Sequence, residues 1–280
     1  MVVQHNMTAM NANRQLGVTV TSQRKVTEKL SSGYKVNRAA DDAAGLTISE
    51  KMRSQIRGLT QASANAQDGV SCVQTAEGAL TEVHSMLQRM NELAVKAANG
   101  TNTSADRKAI QFEVKALICE IDRVRQSTQF NTLNLLDGTF ATVPANGAPK
   151  RFVQVGAANK AEQRIQIKIA SISTGKLGVK SVNVSTLDGA QSAISLITKA
   201  IAKISAIRSG LGAIQNRLEH TIANLDNVVE NTTAAESQIR DTDMAATMVE
   251  YTKNNILQQA GQAMLAQANQ STQGVLSLLG

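Results

Sequence analysis

Small and apolar residues recur at alternating spacings of three and four along residues 59–97, which is the repeat of one face of a long α-helix. The positions that keep this phase are Leu59, Ala62, Ala66, Gly69, Val73, Ala76, Leu80, Val83, Leu87, Met90, Ala94 and Ala97. The pattern predicts one helix whose single stripe packs against other helices. We expect it to end at Asn99 and Gly100, because both residues tolerate the left-handed conformation that closes many helices.

Two further stretches carry the same kind of stripe. One helix is predicted to begin near Ser104, Ala105 and Asp106, where polar side chains can cap its first turn. Its apolar positions are Ile110, Val114, Leu117, Ile121 and Val124. The third stripe follows residue 190 and consists of Ile194, Ile197, Ile201, Ile204, Leu211, Leu218, Ile222, Leu225 and Val229, with Arg208 and Gln215 as polar members. Three such helices predict a mainly α fold, a long antiparallel helical bundle or coiled coil.

Residues 138–190 differ in composition, since they contain both prolines, Pro144 and Pro149, and several glycines. Within them, residues 164–169 (RIQIKI) alternate between polar and apolar, which predicts a half-buried strand. Residues 152–155 (FVQV) are its predicted partner, and Val182 and Val184 form a candidate third strand. We expect a small β-hairpin element in the middle of the chain, at one end of the bundle.

Both ends of the chain are predicted to be helical, but their apolar faces are narrow. Residues 1–60 hold 9 Lys and Arg against 4 Asp and Glu, whereas residues 221–280 hold 2 against 6. These opposite charges suggest that the two ends lie side by side. The candidate residues for pairing and polymerisation are Met7, Met10, Leu30, Met248, Ile256, Leu257, Met264, Leu276 and Leu279. A chain whose ends are incomplete until paired is a candidate for self-assembly.

The sequence contains no motif typical of a catalytic, metal or cofactor site. We therefore predict no enzyme activity and no such site. The histidines fall in no metal-binding spacing, and the cysteines are interpreted as inert apolar side chains. These residues are His5, His84, His220, Cys72 and Cys119. The adjacent carboxylates Asp41 and Asp42 are interpreted as a helix cap and not as an acid–base pair.

Composition narrows the function classes further. The net charge is +7, but aromatic residues make up 2% of the chain and no basic stripe is interleaved with them, so nucleic acid is not an expected partner. No run reaches the roughly 18–20 apolar residues of a membrane span, so a membrane is not expected either. The first 25 residues lack the apolar segment of a secretory signal, and we expect no cleaved signal peptide.

Four segments carry a resemblance to one family, bacterial flagellin. Residues 30–58 (beginning LSSGYKVNRAADDAAGL), 65–101 (beginning NAQDGVSCVQTAEGAL) and 120–138 (EIDRVRQSTQFNTLNLLDG) resemble its N-terminal part. Residues 236–280, which begin ESQIRDTDMAATMVEY, resemble its C-terminal motif. The resemblance covers both ends in the right order, and only about 50 residues separate the helical parts, which implies a short form without large variable domains.

The resemblance implies how the chain divides and what it does. The implied parts are an N-terminal inner-core helix (1–42), outer-core helices (43–138), a small β-hairpin region (139–190), an outer-core helix (191–239) and a C-terminal inner-core helix (240–280). It implies a structural subunit that polymerises into the extracellular flagellar filament for swimming motility. The implied route is the flagellar secretion apparatus. The implied partners are further copies, a secretion chaperone on the C-terminal helix, the filament cap and the hook-junction proteins.

A second role implied by the resemblance is recognition by the innate immune receptor Toll-like receptor 5. The residues that match the family's receptor-binding stretch are Leu87, Gln88, Arg89, Glu92, Leu93 and Glu113. Arg89 and Glu92 are three residues apart, so they lie on one face of a helix, and Leu93, four residues after Arg89, is expected to lie beside the exposed arginine as an apolar contact. Met90 and Asn91 depart from many stimulatory flagellins, which carry a β-branched residue and an arginine there.

Three alternative hypotheses fit the same pattern. The protein could be a hook–filament junction protein, another coiled-coil assembly protein or adaptor, or a helical enzyme. A junction protein would not polymerise alone, and an enzyme would lose activity on point mutation without loss of filaments. Electron microscopy of the purified protein distinguishes these classes.

Overall fold

The computed structural model describes residues 6–140 and 151–279, with side chains up to residue 271. The helices in these residues are α1 (Met7–Ser32), α2 (Ala43–Ala97), α3 (Ser104–Ser127), α4 (Thr174–Leu177), α5 (Leu187–Arg240) and α6 (Met244–Leu279). The strands are β1 (Gln129–Phe130), β2 (Leu133–Asn134), β3 (Phe152–Gln154) and β4 (Arg164–Gln166), with a 3-10 turn at Ala161–Gln163. The predicted mainly α class with a small β element is confirmed. Pro144 and Pro149 lie outside the described residues.

The chain forms two compact units, one made of Arg57–Val229 and the other of Met1–Ile56 with Glu230–Gly280. The helical stripes of α2, α3 and α5 meet in the main core of the first unit, and every predicted stripe position of α2 is buried, with Leu59, Ala62 and Ala66 in smaller clusters against α5. In α5 the predicted Ile194 and Ile201 are only half-buried, because the centre of the stripe is taken by Ala193 and Ala200. The five-part division of the chain stays a prediction.

Helix ends follow local side-chain chemistry. The Asp42 carboxylate accepts a hydrogen bond from the Gly45 backbone N–H at 2.9 Å, which confirms that this residue caps α2. The predicted start of α3 near Ser104 is confirmed, and the residue that caps it is Thr103. Thr103 and Asp106 each accept a hydrogen bond from the other's backbone N–H, which forms a capping box. Asp106, three residues after Thr103, accepts from the Thr103 backbone N–H and so fixes Thr103 as the cap.

The predicted β-hairpin is present, but it is shorter than expected. β3 and β4 pair antiparallel with Val153 opposite Ile165, while Ile167 and Ile169 continue the inward alternation outside any strand. The predicted third strand at Val182 and Val184 is wrong. Both residues are buried, but the Gln111 side chain binds their backbone in place of a neighbouring strand.

A second hairpin, β1–β2, has no counterpart in the sequence predictions. Gln129 pairs with Asn134, and Phe130 with Leu133. The two connecting residues, Asn131 and Thr132, have φ values of 48° and 64°, which belong to a tight two-residue turn. Threonine is rarely found in such a turn, so the sequence does not predict this hairpin.

Candidate assembly surface

The two terminal helices, α1 and α6, lie side by side and antiparallel. Near one end of the pair the Asn6 side-chain amide donates to the Ala268 carbonyl oxygen at 2.9 Å. Near the other end the Thr242 backbone N–H donates to the Gly33 carbonyl oxygen at 3.0 Å. Gly33 closes α1 in the left-handed conformation, with φ of 75°. The pairing predicted from the charge of the two ends is confirmed.

The seam between α1 and α6 is made of small and polar side chains. Within α1, Val26 is the fully buried residue, and within the described side chains of α6 the buried residues are Thr247 and Asn254. Gly261 lets the helices approach closely, since a Cβ added there would lie 3.2 Å from Leu16 Cδ1. The pair therefore buries little apolar surface of its own.

Large apolar side chains of the same two helices lie on the outside of the pair. Those of the predicted set are exposed by 46% to 68%, and they are Met7, Met10, Met248, Ile256, Leu257 and Met264. Val18, Met244 and Val249 are also exposed. Leu30 is half-buried, while the side chains of Leu276 and Leu279 lie outside the described residues. An apolar surface of this extent on a helix pair is typical of a protein that packs against further chains.

An ionic and aromatic cluster joins the chain segments at the base of this pair. The Arg240 guanidinium lies 4.6 Å from the centre of the Tyr34 ring and donates to a Glu50 carboxylate oxygen at 2.8 Å. The Lys35 backbone N–H donates to the Arg240 carbonyl oxygen at 2.6 Å. Hydrogen bonds from Arg240, and then from Arg53, lower the pKa of Glu50 from its ordinary value. The cluster joins the segment that follows α1 and the last residue of α5, just before α6, to the first turns of α2.

The sequence pattern does not predict this cluster. Tyr34 and Arg240 are separated by more than 200 residues, and each lies in a segment that resembles flagellin. A hint is present in the sequence: Tyr34 directly follows one terminal helix and Arg240 directly precedes the other, and these two helices are expected to pair.

The predicted receptor residues separate into an exposed and a buried group. Arg89 donates to Glu113 at 3.0 Å and to Glu92 at 3.1 Å, and the three side chains are about half exposed. Hydrogen bonds to Glu92 and Glu113 raise the pKa of the Arg89 guanidinium. Gln88 is exposed and lies 3.1 Å from a His84 ring nitrogen.

The other two members, Leu87 and Leu93, are buried in the core of the unit Arg57–Val229. The expectation that Leu93 stands beside Arg89 as an exposed apolar contact is therefore wrong, because its side chain faces the inside of the bundle. Met90 is fully buried as well, and Asn91 is half-buried.

The described residues bring together no cluster of side chains that could hold a metal ion. Across residues 6–140 and 151–279, no three His, Cys, Asp or Glu side chains are placed to share a metal ion. Cys72 is buried, which raises the pKa of its thiol, and Cys119 is exposed. None of the helices in the same residues combines the length and apolarity needed to cross a bilayer.

Known proteins are similar to this sequence along its whole length. Residues 3–141 match the family model of the bacterial flagellin N-terminal helical region, and residues 194–279 match that of the C-terminal helical region. The flagellin of Halalkalibacterium halodurans is 53% identical over 279 residues, and a flagellar filament 31.3 kDa core protein of Treponema maltophilum is 49% identical over 285. Both alignments cover all of each chain.

A solved structure agrees with these sequence matches. The crystal structure of Bacillus cereus flagellin is similar with a TM-score of 0.50 and 31% identity, over 58% of this chain and 88% of that one. The chain is thus a helical protein with an exposed apolar helix pair. It belongs to the bacterial flagellin family, a family of structural proteins.

Proposed function

We propose that this protein is the structural subunit of an extracellular flagellar filament that drives swimming motility. The observation that carries the proposal is the apolar outer surface of the α1–α6 pair. On α6 the seam consists of Thr247, Asn254 and Gly261, which bury little apolar surface, while Ile256 and Met264 are exposed. Covering the exposed apolar residues with helices of other copies would lower the free energy of the pair.

Covering this surface would contribute favourably to the free energy of assembly. Burying a fully exposed large apolar side chain contributes about 1.5–3 kcal/mol. The six exposed residues of the predicted set are roughly half exposed, so each offers about 0.8–1.5 kcal/mol, and together about 5–9 kcal/mol per subunit. Repeated along a polymer, this contribution favours the assembled state over the free subunit.

Deletion of residues 241–280 tests the proposal. The intact protein, seeded or salted, is expected to form filaments visible by negative-stain microscopy, and the truncated protein is expected to form none. The truncated protein should keep the thermal transition of the unit Arg57–Val229, since the core of that unit lies outside the deleted segment. An intact protein that stays monomeric under all conditions would favour a hook–filament junction protein.

The same proposal includes a route and partners drawn from the family resemblance. The subunit would leave the cell through the flagellar secretion apparatus and join the filament beneath its cap. The exposed apolar residues of α6, such as Met248 and Ile256, are a suitable surface for a secretion chaperone before assembly. Hook-junction proteins would contact the first subunits. A pull-down of the chaperone by the intact and the truncated protein tests the first of these contacts.

We also propose that Toll-like receptor 5 binds the exposed group of Gln88, Arg89, Glu92 and Glu113. Arg89 supports this proposal, because two carboxylates on neighbouring helices hold its guanidinium in one orientation at the surface. An arginine that is already ordered loses less entropy on binding, and arginine is among the residues that dominate interface energies.

The receptor proposal is tested by the variant Arg89→Ala and its matched control Arg123→Ala. Arg123 forms a comparable exposed ion pair with Glu120 on α3. Arg89→Ala is expected to lose about 2 kcal/mol of binding to the receptor ectodomain, roughly thirtyfold in affinity. Thermal stability should change little in either variant, because exposed ion pairs contribute about 0–1 kcal/mol. Unchanged affinity of Arg89→Ala would exclude this patch as the binding site.

A further inference from the structure

The methionines are distributed unevenly between the surface and the interior of this protein. Five of them are 49% to 68% exposed, and all five lie on the terminal helices α1 and α6. Among the other methionines of the described residues, Met52 and Met86 are half-buried and Met90 is completely buried. The five exposed residues, called the methionine set below, are Met7, Met10, Met244, Met248 and Met264.

Exposed apolar residues outside α1 and α6 include no methionine in the described part of the chain. They are Tyr34, Ile48, Val95, Phe112, Phe152 and Leu187. On α1 and α6 the methionine set is accompanied by four other exposed large apolar residues, which are Val18, Val249, Ile256 and Leu257. Leucine has a similar volume and would bury a similar apolar area when other copies cover the pair. What methionine adds at these positions is a flexible side chain and a thioether sulfur.

An exposed thioether sulfur is a substrate for peroxide oxidants. Its lone pair attacks one oxygen of hydrogen peroxide, and the O–O bond breaks as the S–O bond forms. The proton of the transferred oxygen passes to the departing hydroxide, which leaves as water. The sulfur is thereby oxidised by two electrons to a sulfoxide, and the peroxide is reduced. The sulfoxide is polar and chiral, and it disrupts interfaces that are rich in methionine.

We propose that the methionine set is an oxidation site, at which peroxide converts the free subunit into a form that cannot assemble. The set lies on the apolar surface that other copies would cover, so assembly would bury a polar oxygen at each oxidised sulfur. Burying a polar group without a hydrogen-bond partner is unfavourable. This proposal rests on the proposed filament function, but the order in which the methionines are oxidised can be measured in the subunit alone.

Peroxide treatment of the full-length protein before assembly tests the proposal. Peptide mass spectrometry should show that the methionine set is oxidised at least tenfold faster than Met90, the buried internal control. The lowest protein concentration that supports seeded filament growth should then rise at least tenfold, while circular dichroism retains the thermal transition of the unit Arg57–Val229. Methionine sulfoxide reductases that act on both sulfoxide epimers should restore growth. Fully reduced protein that still fails to grow would count against the site.

The matched variant carries Met7→Leu, Met10→Leu, Met244→Leu, Met248→Leu and Met264→Leu. It keeps the exposed Cys119, so any effect of cysteine oxidation remains visible in it. We expect this variant to grow filaments equally well before and after peroxide treatment.

Three results would overturn the proposal. They are normal growth of fully oxidised wild-type protein, an equal loss of growth in the wild type and the leucine variant, and oxidation of Met90 as fast as the methionine set. Untreated wild-type protein that never polymerises would instead refute the filament function, and the order of oxidation would still decide whether the methionine set is the site of modification.

Discussion

Leu87 provides the sharpest test of the bundle, because the sequence places it both in the α2 stripe and in the receptor stretch. Its side chain is completely buried in the core of the unit Arg57–Val229. Truncation to alanine removes buried methyl groups and leaves a cavity, and changes of this kind reduce the free energy of unfolding by about 2–5 kcal/mol. With full burial we expect a loss of about 3 kcal/mol.

The assay is thermal unfolding of Leu87→Ala followed by circular dichroism. For a unit of this size, about 3 kcal/mol corresponds to a fall in Tm of roughly 6–12 °C. The matched control is Gln88→Ala, an exposed neighbour that should change the free energy of unfolding by no more than about 0.5 kcal/mol. If Leu87→Ala melts like Gln88→Ala, the stripe of α2 does not form the core and the assignment of Leu87 is refuted.

Two further predictions concern polar groups. Gln111→Leu should lower the stability of the unit Arg57–Val229 by about 2–4 kcal/mol, measured by denaturant unfolding, because the Val182 carbonyl and the Val184 N–H lose the side chain that binds them. The pKa of Glu50 is lowered in the folded protein, so its ion pair with Arg240 stabilises the terminal helices above the unfolded pKa and is lost as the pH falls through the folded value. Below about pH 4 the Tm difference between wild type and Glu50→Gln should shrink, and a constant difference would contradict this.

The helices could be predicted because their stripes depend on a spacing that the sequence displays directly. All of the predicted α2 stripe is buried, and the β3–β4 pairing follows from the alternation of residues 152–155 and 164–169. Most of the predicted α5 stripe is buried too, but Ile194 and Ile201 are only half-buried, because the smaller Ala193 and Ala200 take the buried positions beside them.

The remaining features depend on contacts between distant residues. Gln111 replaces a strand neighbour for residues more than 70 positions away, so no local pattern reveals it. Leu93 was predicted to be exposed beside Arg89, although it lies three residues after Met90 in the buried stripe. The Tyr34–Arg240 stacking needs the two chain ends to meet first. Local periodicity predicts elements, while side-chain partners follow only from the assembled fold.

The central claim is that the exposed apolar face of α6 drives polymerisation. One measurement of filament growth tests it most directly. The variant carries Met248→Glu, Ile256→Glu and Met264→Glu together, and its control carries leucine at the same positions. All three side chains are about half exposed or more, so both monomers should keep the wild-type Tm. The account predicts that seeded leucine protein grows filaments under the electron microscope and that the glutamate protein grows none. Filaments of normal length from the glutamate protein would contradict it.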